Sequence, residues 1–447
     1  MTESVDALLT HEGVRAARAH IERSDELTLA RQAALSAIPA PTGAETARGA
    51  RVAELFAEVG LEDVRVDEVG NVRGWYGNGQ TDNLRVASRN AAGCVILSAH
   101  LDTVFGPDLD VSVSRRGPRL QGPGISDNAR GLAALVAVAE ALVRAQVATR
   151  RPVLFAATVG EEGSGDLRGV RYLLGNGVGA PGVDVGARWV GVGAQHAAPL
   201  QTQPMGPHDP TMAVPIRPHA FIALDGAGIE RIVHRALGAR RYRVTYRGPG
   251  GHSWAAFGVA NPANAVGRAT ALLADLPADN TPRTTCAVVR LGGGSGLNSI
   301  PQEAWLDVDL RSEEPRSLAR LDETVRAALQ QALNEENAHR LPNTPPLALD
   351  VRRVGDRPSG ITPRTHPLVQ AAVAATRAVG QEHQLACAST DANVPIALGV
   401  PAVALGAGGR AGDAHLPTEW YENEGGALGV VRALLVTAAM AGGAEAG

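Results

Sequence analysis

The stretch VLFAATVGEEGSGDLRG, residues 153–169, runs through an apolar segment and then sets Glu161 and Glu162 side by side. A continuous apolar run of this kind, closed by glycine, reads as a β-strand buried on both faces, as found inside parallel sheets. Adjacent carboxylates at a strand tip are ordinarily a solvated end. Here the arrangement recurs: GCVILSAHLD (93–102) ends in His100 and Asp102, and FIALDG (221–226) ends in Asp225. In an open α/β sheet the carboxyl ends of such strands form the ligand-binding edge. Helical Ala/Leu/Val stretches alternate with these runs, so the fold class is α/β.

At 447 residues the chain exceeds one ordinary core, and two domains, one inserted in the other, are expected. A formal net charge of -4 gives no basic footprint, which argues against a nucleic-acid partner. The first residues lack a basic segment followed by an apolar one, and no window approaches about 18 uninterrupted apolar residues, so neither a signal nor a membrane span is expected. Three widely spaced cysteines, Cys94, Cys286 and Cys387, supply no disulfide framework and fit a reducing cytoplasm. All 42 basic residues are arginine. Without a lysine amine, Schiff-base and pyridoxal chemistry are excluded.

Along the chain, DELTLARQAALSAI (25–38) and ETARGARVAELFAEVG (45–60) predict helices, the second capped by Gly60. VRVDEVGNVRGWY (64–76) alternates around a Gly-Asn turn, and LAALVAVAEALVRAQ (132–146) is a long apolar helix. Residues from about 175 to 218 are rich in Gly and Pro, lack periodicity and read as a surface insertion with solvated histidines, His196, His208 and, at its edge, His219. The pattern then changes. RRYRVTYRG, NPANAVGRATALLADL, CAVVRLGGG, AWLDVDLRS and SLARLDETVRAALQQALNEEN give a β-α-β-β-α order, that of a small split βαβ layer. A catalytic domain over 1–237 and 356–447, interrupted by a second unit over 238–355, is the expected organisation.

The polar residues at the buried strand ends, joined by Asp127 in GISDNARG and His415 in GDAHLPTEW, offer two imidazoles and several carboxylates. These are ligands that zinc and related divalent ions take, and two metals about 3.5–4 Å apart can share a bridging carboxylate. Taken singly, a lone His is seldom a ligand and an Asp in a Gly-rich loop is usually a turn residue. Their coincidence at successive strand ends favours a metal site. GPGISD and GGGSGLNSIP lack the framing of phosphate loops, the Ser in GGHSW has no nucleophile elbow, and Cys387 has no evident base, which argues against nucleotide binding and serine or cysteine hydrolysis.

The blocks IPAPTGAETARGARV, DEVGNVRG, SAHLDTV, GPGISDNARGLAAL, TVGEEGSGDLRG, ALDG, GPGGHSW, GGGSGLNSIPQEAWLDVDLRS, STDANVP and AHLPTEW resemble, in order from Ile38 to Trp420, those of metallopeptidase family 20. That family holds aminoacylases, deacylases, glutamate carboxypeptidase and di- and tripeptide aminopeptidases. The resemblance implies a mixed, largely parallel sheet sandwiched by helices, with an inserted ferredoxin-like α+β lid through which two copies form a homodimer. It implies two divalent metal ions, zinc first, with cobalt or manganese as substitutes. His100, Asp127 and Asp225 would hold one, and Asp127, Glu162 and His415 the other. Asp102 would fix the His100 tautomer. Glu161 would be the general base for a metal-bridged hydroxide. His252 would stabilise the oxyanion, often from the partner subunit, while Asn298 and Arg311 would hold substrate.

Within that family the position of Asp225 is usually Asp in aminopeptidases and dipeptidases and Glu in deacylases and carboxypeptidases, which inclines the expectation toward a di- or tripeptide aminopeptidase. The rivals are an N-acyl-amino-acid deacylase or carboxypeptidase with the same site, and an inactive dimeric scaffold. Expected partners are a small peptide or N-acyl amino acid and a second copy of the chain, with no membrane.

Overall fold

The computed structural model describes residues 4–77, 93–175, 216, 218–277 and 279–442. His196, His208 and nearly all of the segment read as an insertion lie outside the described residues, whereas His219 stands in the strand Pro218–Leu224.

Among the described residues nine strands form the main sheet. In order across it they are Glu62–Val66, Val72–Tyr76, Val153–Thr158, Cys94–His100, Pro218–Leu224, Ala402–Leu405, Arg231–Ala236 and Gly360–Ile361, with Gln384–Ala388 also paired to Arg231–Ala236. The centre is parallel, as continuous apolar runs require: Cys94–His100 pairs parallel with Val153–Thr158 on one side and Pro218–Leu224 on the other, and Ala402–Leu405 extends that run. The strands flanking that centre join it antiparallel, and Gln384–Ala388 adds a further parallel pairing to Arg231–Ala236 on the far side.

Every residue of Cys94–His100 and Val153–Thr158 is buried, because helices cover both faces. Helix Ala129–Arg144 is buried over nearly its whole circumference, and helix Gly426–Ala441 almost as fully. Each large apolar side chain removed from water there contributes about 1.5–3 kcal/mol. Among the described residues no helix is long and apolar enough to cross a membrane.

A second sheet, with its own core of Tyr242, Val244, Leu306, Val308, Val325 and Leu329, is formed by Gly238–Arg247, Arg283–Gly293, Glu303–Ser312, Ala348–Arg357 and the short Asp279–Asn280. Its helices are Pro262–Ala274, N-capped by Asn261, and the amphipathic Pro315–Ala338. Glu303–Ser312 lies between Arg283–Gly293 and Gly238–Arg247, and Ala348–Arg357 pairs with the far edge of Gly238–Arg247, all antiparallel. The chain leaves the main sheet at Ala236 and returns to it at Gly360, so this second unit, the expected lid, is an insertion between two strands that pair with each other.

Three charged residues that sequence would place outside are fully buried: Arg48, Arg130 and Arg432. Each clamps main-chain carbonyls. Arg48 donates to Leu101 O at 2.9 Å and Ile38 O at 2.7 Å, Arg130 to Ala407 O and Gly426 O, and Arg432 to Gly406 O and Ile229 O. The guanidinium fork suits this task, since it satisfies several carbonyls at once.

Candidate metal centre and active site

Three neighbouring parallel strands end together. His100 closes the central one, Glu161 and Glu162 follow the strand on one side, and Asp225 follows the strand on the other. The chain runs to one flank of Cys94–His100 and then to the other, which opens a crevice at that strand's carboxyl end. Asp127 enters from the loop before helix Ala129–Arg144, whose N-cap is Asn128. That Asn128 accepts from Gly131 N and Gly226 N and donates to Leu224 O, so one side chain ties the helix start to the Asp225 turn. A Cβ on Gly131 would lie 2.7 Å from Leu224 O, and only glycine permits the approach.

His415 arrives by a route the sequence did not show. Two short strands, Arg410–Gly412 and Trp420–Glu422, form a hairpin, and the second pairs with Arg119–Gln121, just ahead of the Asp127 loop. At their size these strands carry no readable periodicity. His415 has φ of 67°, a left-handed conformation that costs a non-glycine residue about 1–3 kcal/mol unless its surroundings hold it there.

The donors sort around Asp127. Its Oδ1 is 3.0 Å from His100 Nε2, and its Oδ2 is 3.1 Å from His415 Nε2. Asp225 Oδ1 stands 4.0 Å from His100 Nε2, and Glu162 Oε1 stands 3.2 Å from His415 Nε2. Ligand atoms of His100, Asp127 and Glu162 all fall within 4.8 Å of one another. His100 is buried, whereas the His415 side chain is 53% exposed and forms the outer wall.

Electrostatics follow from this crowding. Burial pushes Asp225 up to about 7, with Asp127 adding to the rise. Burial acts the same way on Asp127, but hydrogen bonds from His100 and His415 outweigh it and hold its carboxyl well below the usual range. His415 is raised to about 10 by its bonds to Asp127 and Glu162. Without a cation, protons on His100, His415 and Asp225 balance the charge of the cluster, and a divalent ion would displace them. The set of two imidazole nitrogens and three carboxylates suits zinc, cobalt or manganese.

Asp102 sits directly behind. His100 Nδ1 is 3.0 Å from the Asp102 main-chain oxygen and 3.5 Å from its carboxylate, so the carbonyl is the nearer partner. The carboxylate has a different occupation: it accepts from Glu161 N at 2.9 Å, Glu162 N at 3.0 Å and the Thr42 hydroxyl at 2.8 Å. One buried anion thereby fixes the backbone of both glutamates, whose side chains diverge. Glu162 turns toward His415, and Glu161 Oε1 takes a bond from Arg357 Nη1 at 2.9 Å. Burial pushes the Glu161 carboxyl well up, against the opposite pull of Arg357.

Glu419 and Arg357 were missed by the sequence reading. The fully buried Glu419 accepts from Gly124 N, Ser126 N and Asp127 N, at 3.0, 2.8 and 2.8 Å, and so shapes the loop that delivers Asp127. The available signal was its place four residues after His415 in a Pro-containing turn, too weak to read alone.

The lid residues stand apart. His252 lies on Gly251–His252, paired with Ser299–Ile300, and Asn298 O accepts from Ser253 N beside it. Arg311 donates Nε to Asp309 at 2.7 Å. Among the described residues none of His252, Asn298 and Arg311 makes a hydrogen bond or ion pair with the cluster around Asp127.

Residues 96–439 match the model of peptidase family M20/M25/M40. Comparison with curated protein sequences returns no match. Among solved structures, a tripeptidase from Staphylococcus aureus subsp. aureus Mu50 superposes with a TM-score of 0.67 at 18% identity, covering 93% of this chain and 98% of that one. The dipeptidase Dug1p of Saccharomyces cerevisiae gives 0.66 at 13% identity, covering 96% and 99%. An amidase of the hydantoinase/carbamoylase family from Burkholderia vietnamiensis gives 0.63 at 18% identity, covering 94% and 96%. At these identities the likeness is one of fold.

Proposed function

The chain belongs to peptidase family M20/M25/M40 and is a metal-dependent amide hydrolase, and we propose that it is a di- or tripeptide aminopeptidase using two divalent ions, zinc first, around Asp127. The observation that carries this reading is the sorting of donors, with His100 at one oxygen of Asp127 and Asp225 4.0 Å from that imidazole, and His415 at the other oxygen, beside Glu162. His100, Asp127 and Asp225 would hold one ion, and Asp127, Glu162 and His415 the second. Such ions, when bound, lower the pKa of water and polarise the scissile carbonyl.

The chain's own residues supply the rest. Asp102 holds His100 by its carbonyl and the two glutamates by its carboxylate. Glu161 is paired with Arg357 and with neither imidazole, which leaves it to take a proton and pass it to the leaving amine. From the lid, Asn298 and Arg311 hold substrate, with Arg311 the fork for a carboxylate. His252 donates to the developing oxyanion from the second copy of a homodimer. Trp254 and Phe257 are 87% and 81% exposed close by, a surface suited to a partner chain. Described cysteines are free, which fits work in the cytoplasm. Asp225 and the likeness to tripeptidase and dipeptidase folds favour a substrate with a free amine.

Hydrolysis by the zinc-loaded protein tests this, with free-amine di- and tripeptides set against N-acetylated amino acids. Turnover of the free-amine substrates is expected. Preference for the acylated ones would place the chain with deacylases, and turnover of neither would contradict the proposal.

A further inference from the structure

One place where lid and catalytic domain meet is the short loop from Glu161 to Asp166; another is the Arg235–Glu313 ion pair at 2.9 Å. Arg241, on the lid strand Gly238–Arg247, donates Nη1 to Gly163 O at 2.9 Å. Asp166 accepts the Asp356 N–H on both carboxylate oxygens, at 3.0 and 3.1 Å. Arg357, the last residue of the lid strand Ala348–Arg357, donates Nη1 to Glu161 Oε1 at 2.9 Å and Nη2 to the main-chain oxygen of the same residue. Nη1 also reaches Ser389 Oγ at 3.0 Å. Arg357 is 4% exposed, and Pro358 and Ser359 alone separate it from the main-sheet strand Gly360–Ile361. It therefore lies at the point where the lid returns to the catalytic domain, and it grips one glutamate by both backbone and side chain.

We propose that Arg357 is a positioning residue for Glu161, and that through it the attitude of the lid sets where that carboxylate stands. The inference rests on Glu161 being the base. A glutamate has several rotatable bonds, and a base must come within hydrogen-bond reach of the proton it moves. Asp102 fixes only the Glu161 N–H, leaving the carboxylate to its partner, and among the described residues the sole side chain bonded to it is that of Arg357. A planar fork that takes the carbonyl and the carboxylate of one residue together locks its rotamer, which a single ammonium cannot do. A displacement of the lid strand moves the fork and the base with it.

The test compares R357A and R357K with the parent, using a dipeptide and its C-terminally amidated counterpart, with metal content measured alongside. In R357A kcat should fall about 100-fold for both peptides alike, with metals retained and KM little changed, as misplacement of a reacting group predicts. R357K should recover a minor part. Amide exchange across residues 159–167 of metal-free R357A should speed up while the central strands stay protected. An unchanged kcat, or unchanged exchange in that loop, would overturn the proposal. So would a loss confined to the free-carboxylate peptide and expressed in KM, which would mean that Arg357 grips substrate. The base assignment is read separately: E161Q retaining turnover would remove it, whereas an inactive E161Q beside a fully active R357A would leave the base standing and refute Arg357 alone.

Discussion

The loops that carry Asp127, Glu161, Glu162 and Asp225 are each held by a buried side chain, whereas His252, Asn298 and Arg311 stand exposed or half-exposed on the lid. Asp102 takes the N–H groups of both glutamates, Glu419 takes those of Gly124, Ser126 and Asp127, and Asn128 takes that of Gly226. A buried N–H that loses such an acceptor costs about 1–3 kcal/mol, so these loops have little freedom to relax. His252 is held by a two-residue pairing with Ser299–Ile300 and by the exposed turn that follows it, whose Trp254 N–H reaches its ring. On the function proposed above, the difference means that one chain prebuilds the metal half of the site and leaves the substrate half to be completed by lid movement or by a second copy.

Substitutions that separate chemistry from construction put this contrast under the greatest strain. Glu161→Gln should lower kcat by about 10²–10⁴-fold, the range for a lost general base, with both metals still present by elemental analysis. If the metals leave as well, Glu161 belongs to the prebuilt set and not to the chemistry. Next in size, His252→Ala should cost about 10²–10³-fold in kcat, as removal of an oxyanion donor does, with unchanged metal content. A loss of metal there would deny that the lid half is separate.

Two smaller effects sharpen the same boundary. Glu419→Gln replaces an acceptor of three N–H groups with a poorer one, and metal affinity, followed by titration of the apo protein, should weaken about 10–100-fold. An unchanged affinity would show that the Asp127 loop keeps its shape unaided. Arg311→Lys keeps the charge and loses the fork, so KM for a free-carboxylate peptide should rise about 10-fold while its amidated form is affected less.

The division also explains what could be read in advance. His100, Asp225, Glu161 and Glu162 were visible because strands buried on both faces are written as continuous apolar runs, and the first polar residues mark their tips. Asp127 and His415 were visible by type and by the family resemblance, but the hairpin that carries His415 to Asp127 was not, since three-residue strands leave no pattern. The mixed sheet was expected from the resemblance, but which strands would pair antiparallel was not written in their hydropathy. Glu419, Arg357 and the buried Arg48, Arg130 and Arg432 escaped for a shared reason. Each works through main-chain atoms that are mostly distant in sequence, and hydropathy places such residues at the surface.

The most direct test of the two-halves account is complementation between D127A, which lacks the centre of the metal half, and H252A, which lacks the lid's donor. Subunits are dissociated, mixed in equal amounts and reassembled. Random pairing in a symmetric dimer makes half the molecules mixed, each with one whole site, so activity should return to about a quarter of the parent level. A mixture no more active than the average of its two parents would contradict the account, because both halves would then belong to the same chain.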